Sequence, residues 1–314
     1  MNVVFGTGPL GQAVAASLRA RGDEVRLVNR SGRVPGGLSG VEVVAGDLTD
    51  ETSARSATGR ASVLYHCAVT AYTSWPETLP ALMRGAIDAA ASAGARLVYG
   101  DNLYAYAPPD QPLTEQAPER PETRKGRVRK EVADMLRAAH EAGRVEATIG
   151  RASDFYGPGV LLSGVGSEVF GRLAEGKAAR LLGNPDHPHS FTFIEDFGRA
   201  LVVLADHDEA FGQTWLVPNP PPMTPRAFAE RAAEAMGQKA KVQAAPSWVL
   251  RALGLFNPMM REVAEMLYLW EHPFIVDHSK FDRAFGDAFG EVTPLAAGIA
   301  ETAAAFKASS QTAV

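Results

Sequence analysis

The residues Gly6-Thr7-Gly8-Pro9-Leu10-Gly11 have the G-x-G-x-x-G spacing with which a chain brings bare backbone against a diphosphate. In that arrangement Gly6 makes the tight turn, Gly8 lets the backbone approach the phosphates, and Gly11 lets a helix lie close to a strand. The context fits on both sides. Asn2-Val3-Val4-Phe5 reads as a strand, and Leu10, Val14 and Leu18 fall at helical spacing after the turn. The start of that helix, with its free N–H groups, then faces the anion, so the chemistry is dinucleotide binding. A second cluster, Asn29-Arg30-Ser31, ends the next expected strand, where a carboxylate would hold the ribose hydroxyls of NAD. No acid stands there. A guanidinium and a hydroxyl suit a 2′-phosphate instead, so the sequence favours NADP(H) over NAD(H).

These groups need elements to hold them. Strands are expected near residues 2–5, 24–29, 41–45, 61–66, 96–100 and 145–150, with helices near 10–21, 51–58, 77–94 and 123–142 between them. Alternation of that kind builds a doubly wound, parallel α/β sheet of the Rossmann type. Past residue 150 the rhythm changes: 151–159 reads as a loop, 165–176 and 195–205 as helices, and 213–217 as a strand returning to the sheet. Pro218-Asn219-Pro220-Pro221-Pro222 must interrupt regular structure, because proline lacks the N–H that helix and sheet both use. Beyond it, helices near 224–236, 247–254, 258–270 and 293–307 make a smaller, mostly helical lobe. The expected division is a dinucleotide-binding domain from 1–155 and about 190–217, and a substrate lobe from about 156–189 and 218–314.

A chain of 314 residues buries a full core without staples, and its one cysteine, Cys67, allows no internal disulfide. A formal charge of −5 argues against nucleic acid as a partner, and no apolar run is long enough to span a membrane. The first residues already read as strand and leave no room for a signal peptide, so a cytoplasmic protein with a small-molecule ligand is expected.

The same residues carry a resemblance. The glycine loop, Gly46-Asp47-Leu48-Thr49-Asp50, Leu97-Val98-Tyr99-Gly100-Asp101-Asn102-Leu103-Tyr104, Arg151 through Gly159 and Phe191 through Asp196 together resemble the extended short-chain dehydrogenase/reductase family, the NAD-dependent epimerases and dehydratases. The likeness spans nearly the whole length. It implies that Asp47 and Leu48 touch adenine and that Cys67 and Ala68 line the cofactor. It further implies that Phe155 contacts the cofactor where the Tyr156-Gly157-Pro158-Gly159 loop starts the substrate lobe. A homodimer through the helices near 77–94 and 123–142 is implied as well.

One signature of that family is missing. Its enzymes use Tyr-x-x-x-Lys on the helix after the fifth strand, and none of the seven tyrosines here has a lysine four places on. Alignment through Glu131 puts Thr123 at the tyrosine position and Arg127 at the lysine position. The usual Ser or Thr after the fifth strand is replaced by Gly100, Asp101 or Asn102, depending on register. Asp101, Tyr104 and Lys125 remain as proton carriers, with Tyr104 also readable as a structural ring and Asp101 as a turn residue. Arg127 could hold the nicotinamide ribose and stabilise an oxyanion without moving a proton. The basic run Arg124-Lys125-x-Arg127-x-Arg129-Lys130 otherwise reads as a solvated face. Asp186, His187 and His189 form no metal site, given Pro188 and the lack of a further ligand. Phe256, Tyr268, Trp270 and Phe274 read as core of the smaller lobe. Two functions stay open. One is an NADP(H)-dependent oxidoreductase or epimerase-like enzyme acting on a small carbonyl, alcohol or sugar-derived substrate. The other is a catalytically silent NADP(H)-binding sensor or scaffold, resembling the atypical branch of the same superfamily.

Overall fold

A computed structural model describes residues 1–34, 40–245 and 247–312. Among them, seven strands form one parallel sheet: β1 (Asn2–Phe5), β2 (Val25–Asn29), β3 (Glu42–Ala45), β4 (Val63–His66), β5 (Arg96–Asn102), β6 (Ala147–Ala152) and β10 (Thr214–Leu216). Their order is β10-β6-β5-β4-β1-β2-β3, so the chain leaves β1 in one direction, returns, and continues from β4 in the other. Such a reversal opens a crevice at the carboxyl ends of β1 and β4. The strand expected near 213–217 does return to this sheet, pairing Thr214 with Ile149.

Alternation along the strands sends side chains to two cores. Val3, Phe5, Leu64, Leu97 and Tyr99 pack under α2 (Glu51–Thr58), α3 (Trp75–Ala93) and α4 (Arg124–Glu141). Val4, Leu27, Tyr65 and Val98 point the other way, to α1 (Pro9–Ala20) and α6 (Ile194–Asp206). A two-residue period with both faces apolar is what a sheet covered by helices on each side requires.

The remaining elements, all but the helix over 279–289, build the second lobe. They are β7 (Asp154–Tyr156), α5 (Arg172–Ala174), β8 (Ala179–Leu182), β9 (Phe191–Phe193), α7 (Pro225–Ala235), β11 (Val242–Ala245), α8 (Ser247–Gly254), α9 (Pro258–Glu265), α10 (Tyr268–Glu271), α11 (Ser279–Phe289) and α12 (Leu295–Thr312). Tyr156, Phe170, Phe191, Phe228, Trp270 and Phe274 are buried together as its core. No helix among the described residues is long and apolar enough to cross a membrane.

Four expectations need correcting. The helix expected over 258–270 is two, because Met266 and Leu267 bond back three residues, to Val263 and Ala264, and tighten the turn between α9 and α10. Helix α11 was not expected, although Phe281, Phe285 and Phe289 repeat every four residues; they pack with Phe197 and Leu201 of α6, on the dinucleotide side of the molecule. The two-stranded pairs β7–β9 and β8–β11 were also unforeseen, since strands of three or four residues carry little periodic signal. Phe256 is not core: it is 90% exposed, unlike Trp270 and Phe274.

Candidate active site

The glycine loop follows β1 as its spacing requires. Gly6 sits at φ 106°, and a Cβ there would lie 2.7 Å from the backbone of Cys67 and Ala68, which follow β4. A Cβ on Gly11 would lie 1.9 Å from the Gly6 carbonyl oxygen. At Gly8 the opposite holds: a Cβ would meet nothing within 4 Å, and Gly8 caps α1 with no side chain bonded to the helix start. The first turn of α1 therefore presents backbone donors to an open cradle, which fits a diphosphate.

The ribose end is built around Asn29. Its amide donates to Thr7 Oγ1 at 3.2 Å and to the Arg33 carbonyl at 2.9 Å, while its Oδ1 accepts both the N–H and the hydroxyl of Ser31, each at 3.0 Å. Asn29 and Ser31 thus shape the turn, and Arg30 projects from it, exposed and without an ion pair among the described residues. Asp47 is tied into its own turn, accepting the N–H and hydroxyl of Thr49 at 2.8 and 2.7 Å, and Leu48 is buried.

A cavity of about 300 Å³ lies beyond the carboxyl ends of β5 and β6, with Pro9 and Phe155 in its wall. Tyr72, Trp75, Asn102, Tyr104, Arg129 and Asp154 also line it. The Tyr104 hydroxyl is 2.9 Å from that of Tyr72, whose ring stacks on Trp75 at 4.6 Å. Burial raises both phenols above the ordinary tyrosine range, Tyr104 strongly so. Both therefore stay protonated at neutral pH. Of the three candidates for the missing Ser or Thr, Asn102 is the one on the cavity wall.

Asp101 lies elsewhere. Its carboxylate is wholly buried between two guanidiniums, with Arg151 Nε at 3.0 Å and Arg129 Nη1 at 3.2 Å, and Arg151 continues to Glu119 at 2.6 Å. Every strong partner it has is a fixed cation, so it holds β5, β6 and α4 together and does not reach the cavity. Arg127 is also outside, exposed, its guanidinium donating to the Glu122 carbonyl at 2.9 Å. The rotation of α4 decides this. A Cβ on Gly126 would lie 2.3 Å from the Tyr104 carbonyl oxygen, so Gly126 marks the line where the helix touches the loop after β5. Lys125 and Arg129 flank that line and turn inward.

Lys125 and Arg129 stand four residues apart, the spacing of the tyrosine and lysine that the chain lacks. Each is held by acids. Lys125, 2% exposed, is paired with Glu262 and, at 3.1 Å, with Glu265 of α9, and its ammonium lies 5.3 Å from the centre of the Tyr72 ring. Arg129 bonds Tyr99 at 2.7 Å as well as Asp101, and its guanidinium covers Trp75 at 4.2 Å. Thr123 is the N-cap of α4, accepting the Gly126 N–H at 3.0 Å. Sequence reasoning named Lys125 as a proton carrier and otherwise read the basic run as a solvated face, which is wrong for Lys125 and Arg129, both buried, and it gave Tyr72 and Asp154 no role. The four-residue spacing inside the basic run was the signal available. His189 bonds Asp154, Asp186 pairs with Arg226, and His187 meets Asn184; no group of three or more metal-ligating side chains gathers among the described residues.

Residues 3–217 match the sequence profile described as the NAD dependent epimerase/dehydratase family. Among solved structures, a UDP-glucose 4-epimerase from Thermus thermophilus in complex with NAD is 18% identical, over 98% of this chain and 99% of that one, with a TM-score of 0.77. A UDP-glucose 4-epimerase from Thermotoga maritima with UDP-glucose is 17% identical, over 98% and 99%, with a TM-score of 0.79. A dTDP-glucose 4,6-dehydratase from Streptomyces venezuelae, with NAD and TYD bound, is 17% identical, over 99% and 98%, with a TM-score of 0.78. At such identities the likeness establishes a shared fold. No protein of curated function matches.

Proposed function

Starting from a chain that belongs to the NAD dependent epimerase/dehydratase family, we propose that it is an NADP(H)-dependent oxidoreductase acting on a small carbonyl, alcohol or sugar-derived compound. The observation that carries the reading is the place of Tyr104 in the wall of a largely apolar cavity that also reaches Pro9 at the start of α1. A nicotinamide dinucleotide supplies hydride chemistry when bound. Gly6, Gly8 and Gly11 would hold its diphosphate, and Arg30 its 2′-phosphate. Tyr104, protonated through burial, donates a hydrogen bond and then a proton to a carbonyl oxygen, and Tyr72 donates in turn to the Tyr104 oxygen. Tyr104 therefore starts as the protonated phenol that a general acid requires; its raised pKa makes it a weaker acid than a free phenol, and the proton moves because the alkoxide formed by hydride transfer is more basic still.

The test is NADPH consumption, followed by absorbance, across a panel of small ketones and aldehydes. Turnover that Tyr104→Phe removes supports the reading. No turnover by wild type with any member, with NADPH bound, supports a second one: a silent NADP(H) sensor or scaffold. That alternative draws on Lys125 and Arg129, which occupy the inward i,i+4 positions of α4 and are both neutralised by carboxylates. Under either reading the protein works in the cytoplasm, consistent with a lone Cys67, and pairs with a second copy through α3 and α4; sedimentation velocity checks the pairing.

A further inference from the structure

Asp154 and His189 form a pair that neither the dinucleotide cradle nor Tyr104 uses. Asp154 opens β7 and pairs with Phe191 of β9, which brings His189, two residues before Phe191, alongside it. His189 Nε2 lies 2.8 Å from Asp154 Oδ2. The imidazole is 1% exposed and stacks on Trp270 at 4.3 Å with the planes 6° apart, so the carboxylate it holds is fixed. The other oxygen, Oδ1, takes no hydrogen bond from the described residues, and the Asp154 side chain, 14% exposed, is part of the cavity wall.

An ionised carboxylate can only accept hydrogen bonds, so the cavity-facing Oδ1 is a ready acceptor for a donor group that displaces water from it. The surroundings sharpen that preference. Val69, Trp75, Leu103, Val160, Leu269 and Phe274 give the cavity an apolar lining. Arg129 is the single Lys or Arg side chain among the lining residues; Tyr99 and Asp101 both engage its Nη1, and its buried Nε has no partner among the described residues. An anionic group entering this cavity would meet the Asp154 carboxylate, a repulsion that Arg129, its charge already matched by Asp101, offsets only in part, whereas a donor would complete Asp154.

We propose that Asp154, positioned by His189, determines specificity by receiving a hydrogen-bond donor of the substrate, and that it turns away carboxylates and phosphates. Resting on the oxidoreductase reading above, this names the substrate class as a small, apolar carbonyl compound bearing a neighbouring hydroxyl or amine. Tyr104 addresses the carbonyl oxygen and Asp154 the neighbouring donor. No bond is made or broken at Asp154.

Three probes with one carbon skeleton test it: phenylacetylcarbinol, which carries a hydroxyl beside its ketone; phenylacetone, which lacks it; and phenylpyruvate, which carries a carboxylate. Binding to the full-length protein saturated with NADPH is measured by calorimetry. Wild type is expected to bind phenylacetylcarbinol about tenfold tighter than phenylacetone, the worth of one hydrogen bond to a charged group, and phenylpyruvate most weakly. Asp154→Asn should improve phenylpyruvate by about tenfold and leave phenylacetone unchanged. Equal wild-type affinities for the three, tightest binding of phenylpyruvate, or no binding of any with NADPH in place would overturn the proposal, as would equal shifts of all three in Asp154→Asn. The wild-type ranking decides even where the variant folds poorly. NADPH affinity, titrated separately by fluorescence, distinguishes the failures: loss there removes the underlying reading, and intact NADPH binding without discrimination removes only this one.

Discussion

The N-terminal parts of α1 and α4 reach the same cavity, through Pro9 and Arg129, and their starts are finished in opposite ways. The start of α1 has no side-chain cap, opens on empty space at Gly8, and offers backbone donors. The start of α4 is capped by Thr123 and carries two inward cations, each matched to acids from elsewhere in the fold: Glu262 and Glu265 for Lys125, Asp101 for Arg129. One is a site held open for an anion. The other is a site already closed on itself. Under the proposed function, the difference assigns binding to α1 and moves proton handling off α4, to Tyr104 on the loop after β5.

If that contrast is right, the largest effect of substitution should fall where charge is buried and paired. Asp101→Asn leaves the Arg129 and Arg151 guanidiniums facing each other across a neutral amide, with both the Asp101 and Arg151 side chains fully buried. Breaking a buried pair from one side costs about 3–5 kcal/mol. Urea unfolding should show that loss. A variant that keeps wild-type stability while losing turnover would instead make Asp101 a catalytic group and erase the distinction.

Tyr104→Phe should do the reverse, lowering kcat about a hundredfold, at the low end for a removed general acid, with stability and NADPH affinity little changed. An equal rate for Tyr104→Phe and wild type would take proton transfer away from this loop.

A third effect comes from pH. His66, 2% exposed at the end of β4 and stacked near Tyr99, has its pKa lowered to about 3, chiefly by burial and also by Arg129. The unfolded chain takes up the proton near pH ~6.5 and the folded one does not, so the contribution is complete above that pH and is lost as pH falls toward the folded value. Between pH 6.5 and pH 5 the loss is about 2 kcal/mol at ~1.36 per unit. His66→Gln should flatten the stability profile over that interval; an unchanged slope would mean that the imidazole is protonated in the fold.

Arg30→Ala tests the open site. It should weaken NADPH about tenfold to a hundredfold, one charge-assisted hydrogen bond being worth ~1.5–3 kcal/mol, and leave NADH almost untouched. Equal wild-type affinity for the two cofactors, or equal losses for both, would show that Arg30 does not read a 2′-phosphate.

The two helix starts also differ in how far the sequence reveals them. At α1, Gly6 and Gly11 are demanded by backbone clearances of 2.7 and 1.9 Å, so their spacing can be read directly from the sequence. At α4 the basic run populates every face of the helix, so composition cannot say which residues turn inward. Gly126 against the Tyr104 carbonyl fixes the rotation, and that is a contact between residues 22 positions apart. Asp154 and His189 are 35 apart and meet only through the β7–β9 pairing. Helix α11 was within reach, since Phe281, Phe285 and Phe289 are all buried on one stripe. Phe256 shows the limit of counting aromatics: residue type does not disclose which side of a loop faces water.

Thr123→Ala is the smallest expected effect and the finest test of the contrast. Sequence alignment puts Thr123 where the family carries its tyrosine, but its hydroxyl oxygen accepts the Gly126 N–H at 3.0 Å and is the side-chain cap of α4. A cap of this kind is worth about 1 kcal/mol, and its loss frays one turn without moving a proton. Lys125 and Gly126 lie in that turn, but Lys125 is also held by Glu262 and Glu265, so the turn has a second anchor independent of Thr123. The expected outcome is a drop of about 1 kcal/mol in unfolding free energy, recovered by Thr123→Ser, with kcat and NADPH affinity within about twofold of wild type. A loss of turnover in Thr123→Ala comparable to that in Tyr104→Phe, with stability preserved, would put chemistry back on α4 and reverse the assignment of the two helix starts.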